Sequence, residues 1–583
     1  MSRAAEPTSP HSADPRAVRR GPTVALALTM AAWMTAFTPT PTAWGTLPAF
    51  VAAIALMERC RRTRHAVGYI VLFGAVAVGF GYRWLAPTVR AFGELDDKLG
   101  FWGLPVSWAV LGAYGIAGTI HGVVFAILYR RLLLPGAVRP HPLATVLLFV
   151  ACEALPIRFL PWMAGYGAVE TAPLRQLAEW GGVSLVSFAL LCLCAPFHEG
   201  LVWALRAREG RRPARPFAAL VTFLVGAGLY GAGALRLSTV AREDREATRF
   251  VRVGIVQAGV GSTAKRGAER DAGDERRRNH EAYRTGTERA AAAGAELIVW
   301  PETAITEGVR VFDPRAGRTF PAADVARSVA AAGYPFVEAL GKDRALLVGG
   351  YEDEDTGDAF DANGRPVPRR FNCGLLREAG GASWSVYRKV KLLPFGESMP
   401  LSSIFPSLLG LLPQHFRMSA GSVDQPPLVW KEKGLVLATF VCYEAIQPET
   451  VAALAGERRP DLLVNLTNDS WYGDTWEPHQ HLNFSRFRAV EHRAPMVRAT
   501  NTGISAFVSS TGEVLASAPY DTAGELVRDL PLVARARTLY ARFAWPSRAS
   551  WFVLAAVVLV LRRRARTRAR SAASPSSTQP TTR

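Results

Sequence analysis

Hydrophobic residues of this chain concentrate in long runs before residue 240 and in one short run near the C-terminus. The seven N-terminal runs lie at about 22–39, 43–58, 66–86, 104–128, 143–160, 181–205 and 216–237. Most of them approach the ~20 residues that an α-helix needs to cross about 30 Å of hydrocarbon. The pattern therefore predicts about seven membrane-spanning helices, and the run from Trp551 to Leu561 predicts an eighth.

The segment from about 240 to 547 is more polar, and in it short β-rich runs alternate with helical ones. Strands are predicted at 250–257, 296–300, 345–349, 435–442, 462–466 and 504–509, and an amphipathic helix at 279–293. This alternation favours an α/β sandwich. The predicted organisation is a disordered tail at 1–21, a helical membrane region at 22–239, an α/β domain at 240–547, a last helix at 548–562 and a basic disordered tail at 563–583.

The basic residues fall in alternate loops between the apolar runs. The N-terminal tail and the segments 59–65, 129–142, 206–215 and 562–570 carry 22 Lys and Arg residues, whereas the segments 39–43, 87–103 and 161–180 carry 3. By the positive-inside rule the first set is cytoplasmic, and residues 240–547 then lie on the outer side. The net charge of +19 is therefore attributed to topology, and no nucleic-acid partner is predicted.

The first apolar run has a second interpretation, because Arg19 and Arg20 could form the basic region of a signal peptide. A second apolar run follows within a few residues, which favours a helical hairpin instead. Six Cys spread over 583 residues exclude a disulfide scaffold. In the polar segment only Cys373 and Cys442 occur, and Cys373 is predicted to be buried, reduced and dispensable.

Two charged candidates for chemistry lie beside predicted strands of the α/β domain. Glu302, in the string WPETA, follows a strand and a Pro, although such a Glu is also typical of the first turn of a helix. Lys389 lies in YRKVKLLPFGE at 387–397, where two of the chain's 7 Lys are two residues apart. An ammonium can stabilise a developing oxyanion, but a solvated edge strand protected by Lys fits the pattern equally well.

The third candidate is Cys442, at the end of a mostly apolar strand and followed at once by polar groups. This position is typical of a nucleophile on a strand-to-turn elbow, and a buried apolar Cys is the alternative. His479 and His481 approach a metal-ligand spacing, but we expect them to line a helix. The sequence shows no metal-ligand cluster of the usual spacing and no Gly-rich phosphate loop, so no metal or soluble cofactor is predicted.

The order Glu, Lys, Cys in these settings resembles the carbon-nitrogen hydrolase (nitrilase) superfamily. The strings WPETA, YRKVKLLPFGE and CYE, together with NDSWYGD at 468–474 and RATNTG at 498–503, resemble its membrane branch, the apolipoprotein N-acyltransferases. QLAEWGGV at 176–183 is a weaker similarity. Gly259 and Arg266 depart from the family pattern, which often has Asn and Trp there.

The resemblance implies a multi-helix transmembrane bundle of about eight helices joined to a nitrilase-like α-β-β-α sandwich. It implies that Glu302 is the general base, Lys389 the oxyanion-stabilising cation and Cys442 the nucleophile. Four further residues are expected to support the site: Glu397 as an additional essential acid, Tyr443 and Glu444 as the pair that shapes the site after the Cys, and Asn372 as a family Asn. Lys391 lies where the family pattern is not strictly Lys.

The function implied is N-acylation of the diacylglyceryl-Cys of apolipoproteins, with a membrane phospholipid as acyl donor and a thioester at Cys442. The implied location is the bacterial inner membrane, with the catalytic domain periplasmic. The segment Leu401 to Leu412 is expected to form either a lid that dips into the bilayer or an ordinary buried helix. Two alternatives stay open: a membrane-tethered amidase or nitrilase that transfers the acyl group to water, and an inactive transporter or scaffold.

Overall fold

The structure is a computed structural model with two interlocking regions, a helical bundle and an α/β domain. It describes residues 25–26, 38–41, 43–135, 140–156, 160, 162–207, 216–259, 272–311, 319–321, 334, 337, 344–354, 369–380, 383–400, 402, 404–405, 407 and 418–572. Arg266 and most of the expected lid at 401–412 therefore lie outside the described residues.

The helical bundle occupies the chain up to Arg245. Its helices are α1 Ala43–Arg59, α2 Thr63–Gly81, α3 Leu85–Phe92, α4 Leu95–Leu99, α5 Gly103–Gly118, α6 Ile120–Leu128, α7 Pro142–Glu153, α8 Ala172–Arg175, α9 Ala178–Cys192, α10 Ala195–Ala207 and α11 Pro216–Arg245. Short 3-10 or π turns continue several of them, so that α4 to α6 form one helical stretch, Leu95–Leu133.

Five helical stretches of the described residues are long and apolar enough to span a bilayer. They are Thr63–Gly81, Leu95–Leu133, Ala178–Ala204, Pro216–Arg245 and Leu539–Arg568. The predicted runs 43–58 and 143–160 form shorter helices of 17 and 12 residues, α1 and α7. Most of the predicted run 22–39 lies outside the described residues. A multi-helix membrane region is thus confirmed, and a total of about eight spans stays a prediction.

The two ends of the bundle differ in charge and in what they contact. At one end Arg130 donates to the carbonyls of Met57 and Arg61, at 2.9 and 3.2 Å, and Arg562 donates to that of Leu133 at 3.2 Å. These contacts bring three of the basic segments together. The opposite end, which includes Gly81 and Trp84, contacts the α/β domain.

The α/β domain contains two sheets. The strands are β1 Phe250–Gln257, β2 Leu297–Val299, β3 Ile305–Val311, β4 Thr319–Pro321, β5 Ala345–Glu354, β6 Arg369–Arg377, β7 Ser383–Arg388, β8 Leu428–Trp430, β9 Leu435–Val441, β10 Leu462–Thr467, β11 Met496–Thr500, β12 Ala506–Val508, β13 Val514–Ser517 and β14 Gly524–Pro531. One sheet has the order β14-β1-β2-β5-β6-β7-β4, with β3 beside β5, and the other has the order β13-β12-β11-β10-β9-β8.

The sheets pack face to face and helices cover their outer sides. Val253 and Leu347 of the first sheet share one buried core with Leu437 and Val497 of the second. Helix α12, Ala272–Ala292, packs on the outer side of the first sheet, where Tyr283 joins a separate core. Helices α13, Pro448–Leu454, and α14, Glu477–His492, lie on the second sheet. The predicted α-β-β-α sandwich is therefore confirmed.

The last helix, α15, runs from Leu539 to Ala572 and is longer than the predicted span 548–562. Residues 563–572 are therefore helical here and not part of a disordered tail. The helix also begins before residue 548, and its backbone is non-helical at Phe543, three residues before Pro546. Proline within a helix removes an N–H donor and causes such a kink. The apolar run in the sequence therefore predicted only the part of α15 that is apolar enough to lie in the hydrocarbon core of a bilayer.

Helix α14 carries much of the contact between the two regions. Its Gln480 accepts a hydrogen bond from Trp84 Nε1 at 3.0 Å and donates to the Gly81 carbonyl at 2.9 Å. Just after α14, the buried Arg493 guanidinium lies 2.7 Å from Glu179 and donates to Gln176 at 2.6 Å. The string QLAEWGGV therefore supplies the bundle's side of a buried polar contact, which fixes the α/β domain against the membrane helices.

Candidate active site

Cys442 lies at the carboxyl end of β9, where the chain turns sharply into a short 3-10 helix, Cys442–Ile446. Its φ angle is +50°, in the left-handed region that is unfavourable for any residue with a side chain. Backbone strain of this kind is typical of functional positions. The Cys442 side chain is buried and also lies on a strand-to-turn elbow. The two interpretations made from the sequence, a buried Cys and an elbow Cys, are therefore compatible.

Glu302 follows β2 in a turn and is not the first residue of a helix. Asn501 donates to its backbone carbonyl at 2.9 Å, and Thr303, the next residue, has a φ of +55°. Gly349 in β5 passes so close that a Cβ there would lie 2.7 Å from the Glu302 Cα. A glycine is required at that point because any side chain would displace the turn that carries the carboxylate.

Lys389 follows β7, an interior strand between β6 and β4, and its side chain is 1% exposed. The interpretation of this Lys as a solvated guard of a sheet edge is therefore wrong. Its Nζ lies 3.4 Å from Glu302 Oε1 and 2.7 Å from Glu397 Oε2. Asn372, inside β6 rather than before a strand, donates from Nδ2 to Glu302 at 2.6 Å and to Glu397 at 2.9 Å. One ammonium thus lies between two carboxylates, which Asn372 also bridges.

The protonation of this group follows from burial and from these charges. Burial, and then repulsion from Glu397, raise the pKa of Glu302 above its ordinary value of 4.5, against the attraction of Lys389. Burial opposes the charge on Lys389, but Glu397 and Glu302 outweigh it and hold the Lys389 pKa well above its ordinary value. Burial, and then the charge of Glu302, raise the pKa of the Cys442 thiol. The resting thiol is therefore protonated and requires a base.

Glu302 has the free oxygen that a base needs. Its Oε1 atom accepts the hydrogen bonds described above, while Oε2 is buried and has no hydrogen-bond partner among the described residues. A buried carboxylate oxygen without a partner is unfavourable, and it is the atom available to take a proton.

Glu444 holds the Cys442 elbow against the Lys389 segment. Its Oε1 atom accepts from the backbone N–H groups of Val390 and Lys391, at 2.8 and 2.9 Å. Its Oε2 atom accepts from the Val441 N–H and the Tyr387 hydroxyl, both at 2.7 Å. The side chain is fully buried, so loss of one partner would leave a buried charge unsatisfied. Its role is to position the two segments.

The structure also places residues near Cys442 to which the sequence analysis gave no role. Asn468 donates to the Thr303 hydroxyl at 3.2 Å, behind the Glu302 turn. Asp469, which is fully buried, lies 2.7 Å from Arg498 and 3.0 Å from His481. The sequence signal for these residues is the concentration of polar residues in NDSWYGD, directly after β10, and in RATNTG, which begins inside β11. His479 and His481 both lie on α14, as predicted.

Possible ligand atoms of Asp469, Glu477 and His481 lie within 4.8 Å of one another, as in a metal site. Two observations favour a hydrogen-bonded cluster instead. The guanidinium of Arg498 already compensates Asp469, and Nε2 of His481 lies 3.1 Å from the Cys442 carbonyl oxygen. A metal ion here would have to compete with the buried Arg498 guanidinium for the Asp469 carboxylate. Metal sites avoid a competing cation of this kind.

The pocket that contains Cys442 is built in part by the membrane bundle. Cys442 lines a narrow space together with Tyr82, Trp84 and Leu160 of the bundle and Tyr472 of the α/β domain. A second cavity, of about 450 Å³, lies between the two regions, and Tyr443 lines both spaces. Tyr443 therefore lies between Cys442 and the cavity beside the membrane helices.

Comparison with known proteins agrees with this architecture. The family model for carbon-nitrogen hydrolases matches residues 253–539, and the model for the apolipoprotein N-acyltransferase N-terminal domain matches residues 30–196. An amidase of the nitrilase superfamily from Nesterenkonia AN1 aligns over 52% of this chain and 98% of its own, at 21% identity and a TM-score of 0.34. The family-model match at residues 253–539 assigns the α/β domain to the carbon-nitrogen hydrolase class.

Relatives that align with this chain over most of their own length narrow the assignment to one family. The apolipoprotein N-acyltransferase of Azotobacter vinelandii is 31% identical over 85% of this chain and 86% of its own length. That of Allorhizobium ampelinum is 32% identical over 78% of each chain. The chain belongs to the apolipoprotein N-acyltransferase family, and it is an acyltransferase with a membrane-embedded helical region.

The two lysines of the site provide a matched pair for mutation. Lys389→Arg is expected to reduce activity by about 10²-fold or more, because the larger planar guanidinium cannot replace the buried ammonium between the Glu302 and Glu397 carboxylates. Lys391→Arg is expected to stay within a few fold of the wild type, since Lys391 offers its backbone N–H to Glu444. Steady-state acyl transfer by both purified variants checks this, and the reverse order would show that Lys391 is the functional cation.

Proposed function

We propose that this protein transfers an acyl group, through a thioester on Cys442, from the sn-1 position of a membrane phospholipid to the N-terminal amine of diacylglyceryl apolipoproteins. The observation that carries the proposal is that Cys442, whose thiol is electrostatically coupled to Glu302 and Lys389, lines a pocket together with Tyr82 and Trp84 of the membrane helices. The names of the relatives support the lipoprotein acceptor. No metal or soluble cofactor enters the proposed reaction.

In the first half-reaction Glu302 takes the proton of the Cys442 thiol as sulfur attacks the ester carbonyl of the phospholipid. Negative charge develops on the carbonyl oxygen, where the Lys389 ammonium and the Tyr443 N–H stabilise it. The carbon–oxygen bond then breaks, and the leaving lysophospholipid alkoxide takes the proton back from Glu302. A thioester remains on Cys442, and Glu302 is again ionised.

In the second half-reaction the free α-amine of the acceptor attacks the thioester in the same site. Glu302 accepts a proton from the amine, the carbon–sulfur bond breaks, and the thiolate of Cys442 recovers that proton. The products are an amide and the resting enzyme. Since both substrates use one site in turn, the kinetics should be ping-pong.

The membrane helices keep the site beside the bilayer, where the acyl chains of both substrates lie. Each CH₂ of an acyl chain withdrawn from the bilayer costs about 0.8 kcal/mol, so extraction of a whole chain into water is prohibitive. The cavity between bundle and α/β domain, lined by Met163 and Val183 on one side and Gln447 on the other, lies beside Tyr443. We propose that lipid chains reach Cys442 by way of this cavity without extraction into water.

Incubation of the purified full-length protein in liposomes with a phospholipid radiolabelled in its sn-1 chain tests the proposal. We expect hydroxylamine-sensitive label on Cys442 before acceptor is added. Rapid release of labelled fatty acid, with no bound label and no amide after addition of a diacylglyceryl peptide, would instead identify a hydrolase.

We further propose that the protein lies in the bacterial inner membrane with residues 240–547 on the periplasmic side and both termini in the cytoplasm. The contacts of Arg130 and Arg562 at the end of the bundle away from the α/β domain support this orientation. A membrane-impermeant thiol reagent applied to intact spheroplasts should label a Cys introduced at exposed Asp529 and spare one introduced at Arg61. The opposite labelling pattern would show that the orientation in the membrane is the reverse of the one proposed.

A further inference from the structure

His481, on α14, contacts the backbone of the nucleophile itself. Its Nε2 atom lies 3.1 Å from the carbonyl oxygen of Cys442. A carbonyl oxygen can only accept a hydrogen bond, so Nε2 must carry the hydrogen and donate it. The imidazole is 5% exposed, so this contact is buried.

The other ring nitrogen of His481 is held by two carboxyl groups. Nδ1 lies 3.0 Å from Asp469 Oδ1 and 3.5 Å from Glu477 Oε1. Burial, and then the charge of Arg498, lower the pKa of His481, against the attraction of Asp469. The two carboxyl groups confine the ring from the Nδ1 side, so that Nε2 stays directed at the Cys442 carbonyl.

Asp469 is itself fixed from behind. Arg498 of β11 lies 2.7 Å from its Oδ2 atom and also donates to Asn465 at 2.5 Å. Gly503 leaves room for this carboxylate, since a Cβ there would lie 2.7 Å from the Asp469 Cβ. A continuous buried chain therefore runs from Arg498 through Asp469 and His481 to the carbonyl of Cys442.

The peptide that His481 contacts is the one that carries an oxyanion donor. The Cys442 C=O and the Tyr443 N–H belong to a single planar unit and point in opposite directions across it. Fixing the carbonyl fixes the direction of the N–H. A hydrogen bond to the carbonyl also polarises the amide, which strengthens its N–H as a donor. The positive φ of Cys442 makes such support necessary, because the elbow is not a relaxed conformation.

We propose that His481 is a positioning residue that holds the Cys442–Tyr443 peptide plane so that the Tyr443 N–H is aimed at the developing oxyanion. This role rests on the proposed function, because an oxyanion forms only when Cys442 attacks an acyl carbonyl. Arg498, Asp469 and Glu477 hold the imidazole in place.

Two variants separate this role from a general structural one. In His481→Gln the amide nitrogen can reach the former position of Nε2 and donate to Cys442, whereas in His481→Asn the shorter amide reaches only the former position of Nδ1. We expect His481→Asn to lower the rate of thioester formation from labelled phospholipid by about 100-fold. His481→Gln should remain within about 10-fold of the wild type, a rescue that depends on reach alone.

Alkylation of Cys442 by iodoacetamide serves as the second readout. In that reaction sulfur displaces iodide from a saturated carbon, so no oxyanion forms and the Tyr443 N–H is not needed. We expect alkylation rates within about threefold of the wild type in both variants. Equal loss of thioester formation in Gln and Asn variants, or alkylation that falls in parallel with acylation, would overturn the inference. A wild-type protein that is alkylated but forms no thioester would overturn the proposed function, and the inference with it.

Discussion

Replacement of Cys442 by Ala is expected to lower thioester formation and acyl transfer by at least about 10⁴-fold, because the substitution removes the only atom that can form the covalent intermediate. The loss of one buried sulfur atom creates a small cavity and should leave the fold intact. Single-turnover acylation with labelled phospholipid, alongside a thermal unfolding curve, measures both effects.

Cys373 provides the matched control for this substitution. It is also buried in the α/β domain, and its thiol donates to the Gly350 carbonyl at 3.2 Å, away from the reacting group. Cys373→Ala should therefore retain activity within a few fold. Normal turnover by the Cys442→Ala protein would refute the nucleophile assignment, and inactivity of a folded Cys373→Ala protein would show that the two Cys had been confused.

The Glu302→Gln variant is expected to lose about 10²- to 10⁴-fold in the rate of thioester formation. The amide preserves the shape of the side chain but cannot take the proton that the resting Cys442 thiol holds. Glu296→Gln is a suitable control, because Glu296 is a partly exposed surface residue of the same domain that pairs with Lys433. A Glu302→Gln protein that is acylated at the normal rate would show that Glu302 is only structural.

The ionisation of Glu302 is expected to determine the acid limb of the pH profile for thioester formation. Because burial and Glu397 raise the Glu302 pKa above 4.5, the ionised base is lost as pH falls through this raised value. The rate of thioester formation in the wild type should therefore decline at a pH above the ordinary Glu value. The decline should be absent from the residual rate of the Glu302→Gln variant. An acid limb centred at or below pH 4.5 would contradict this origin.

The sequence predicted the main strands of the α/β domain because each is an apolar run bounded by turn residues. The prediction for β1 at 250–257 coincides with the strand, and Glu302 and Cys442 were found because each directly follows such a run. Their proximity could not be derived from periodicity, because it depends on the packing of two sheets. The expectation that Glu302 and Cys442 lie close together came from the resemblance to the carbon-nitrogen hydrolase superfamily.

Other features were not predictable, for physical reasons. The chain from Arg498 to His481 joins residues of β11, α14 and the turn after β10, and such contacts between distant segments leave no periodic signal. The roles of Gln176 and Glu179 were equally hidden, because their partner Arg493 lies more than 300 residues away in sequence. Helix α15 exceeded its prediction because charged and aromatic residues extend it beyond the apolar run.

The central claim is that one site carries an acyl group from a lipid to an amine by way of Cys442. A pulse-chase experiment tests it most directly: the full-length protein is acylated with labelled phospholipid, freed of donor on an affinity resin, and mixed with a diacylglyceryl peptide. We predict that the label leaves Cys442 and appears as an amide on the peptide in equal amount. Label that stays on the protein, or leaves it only as fatty acid in water, would contradict the account.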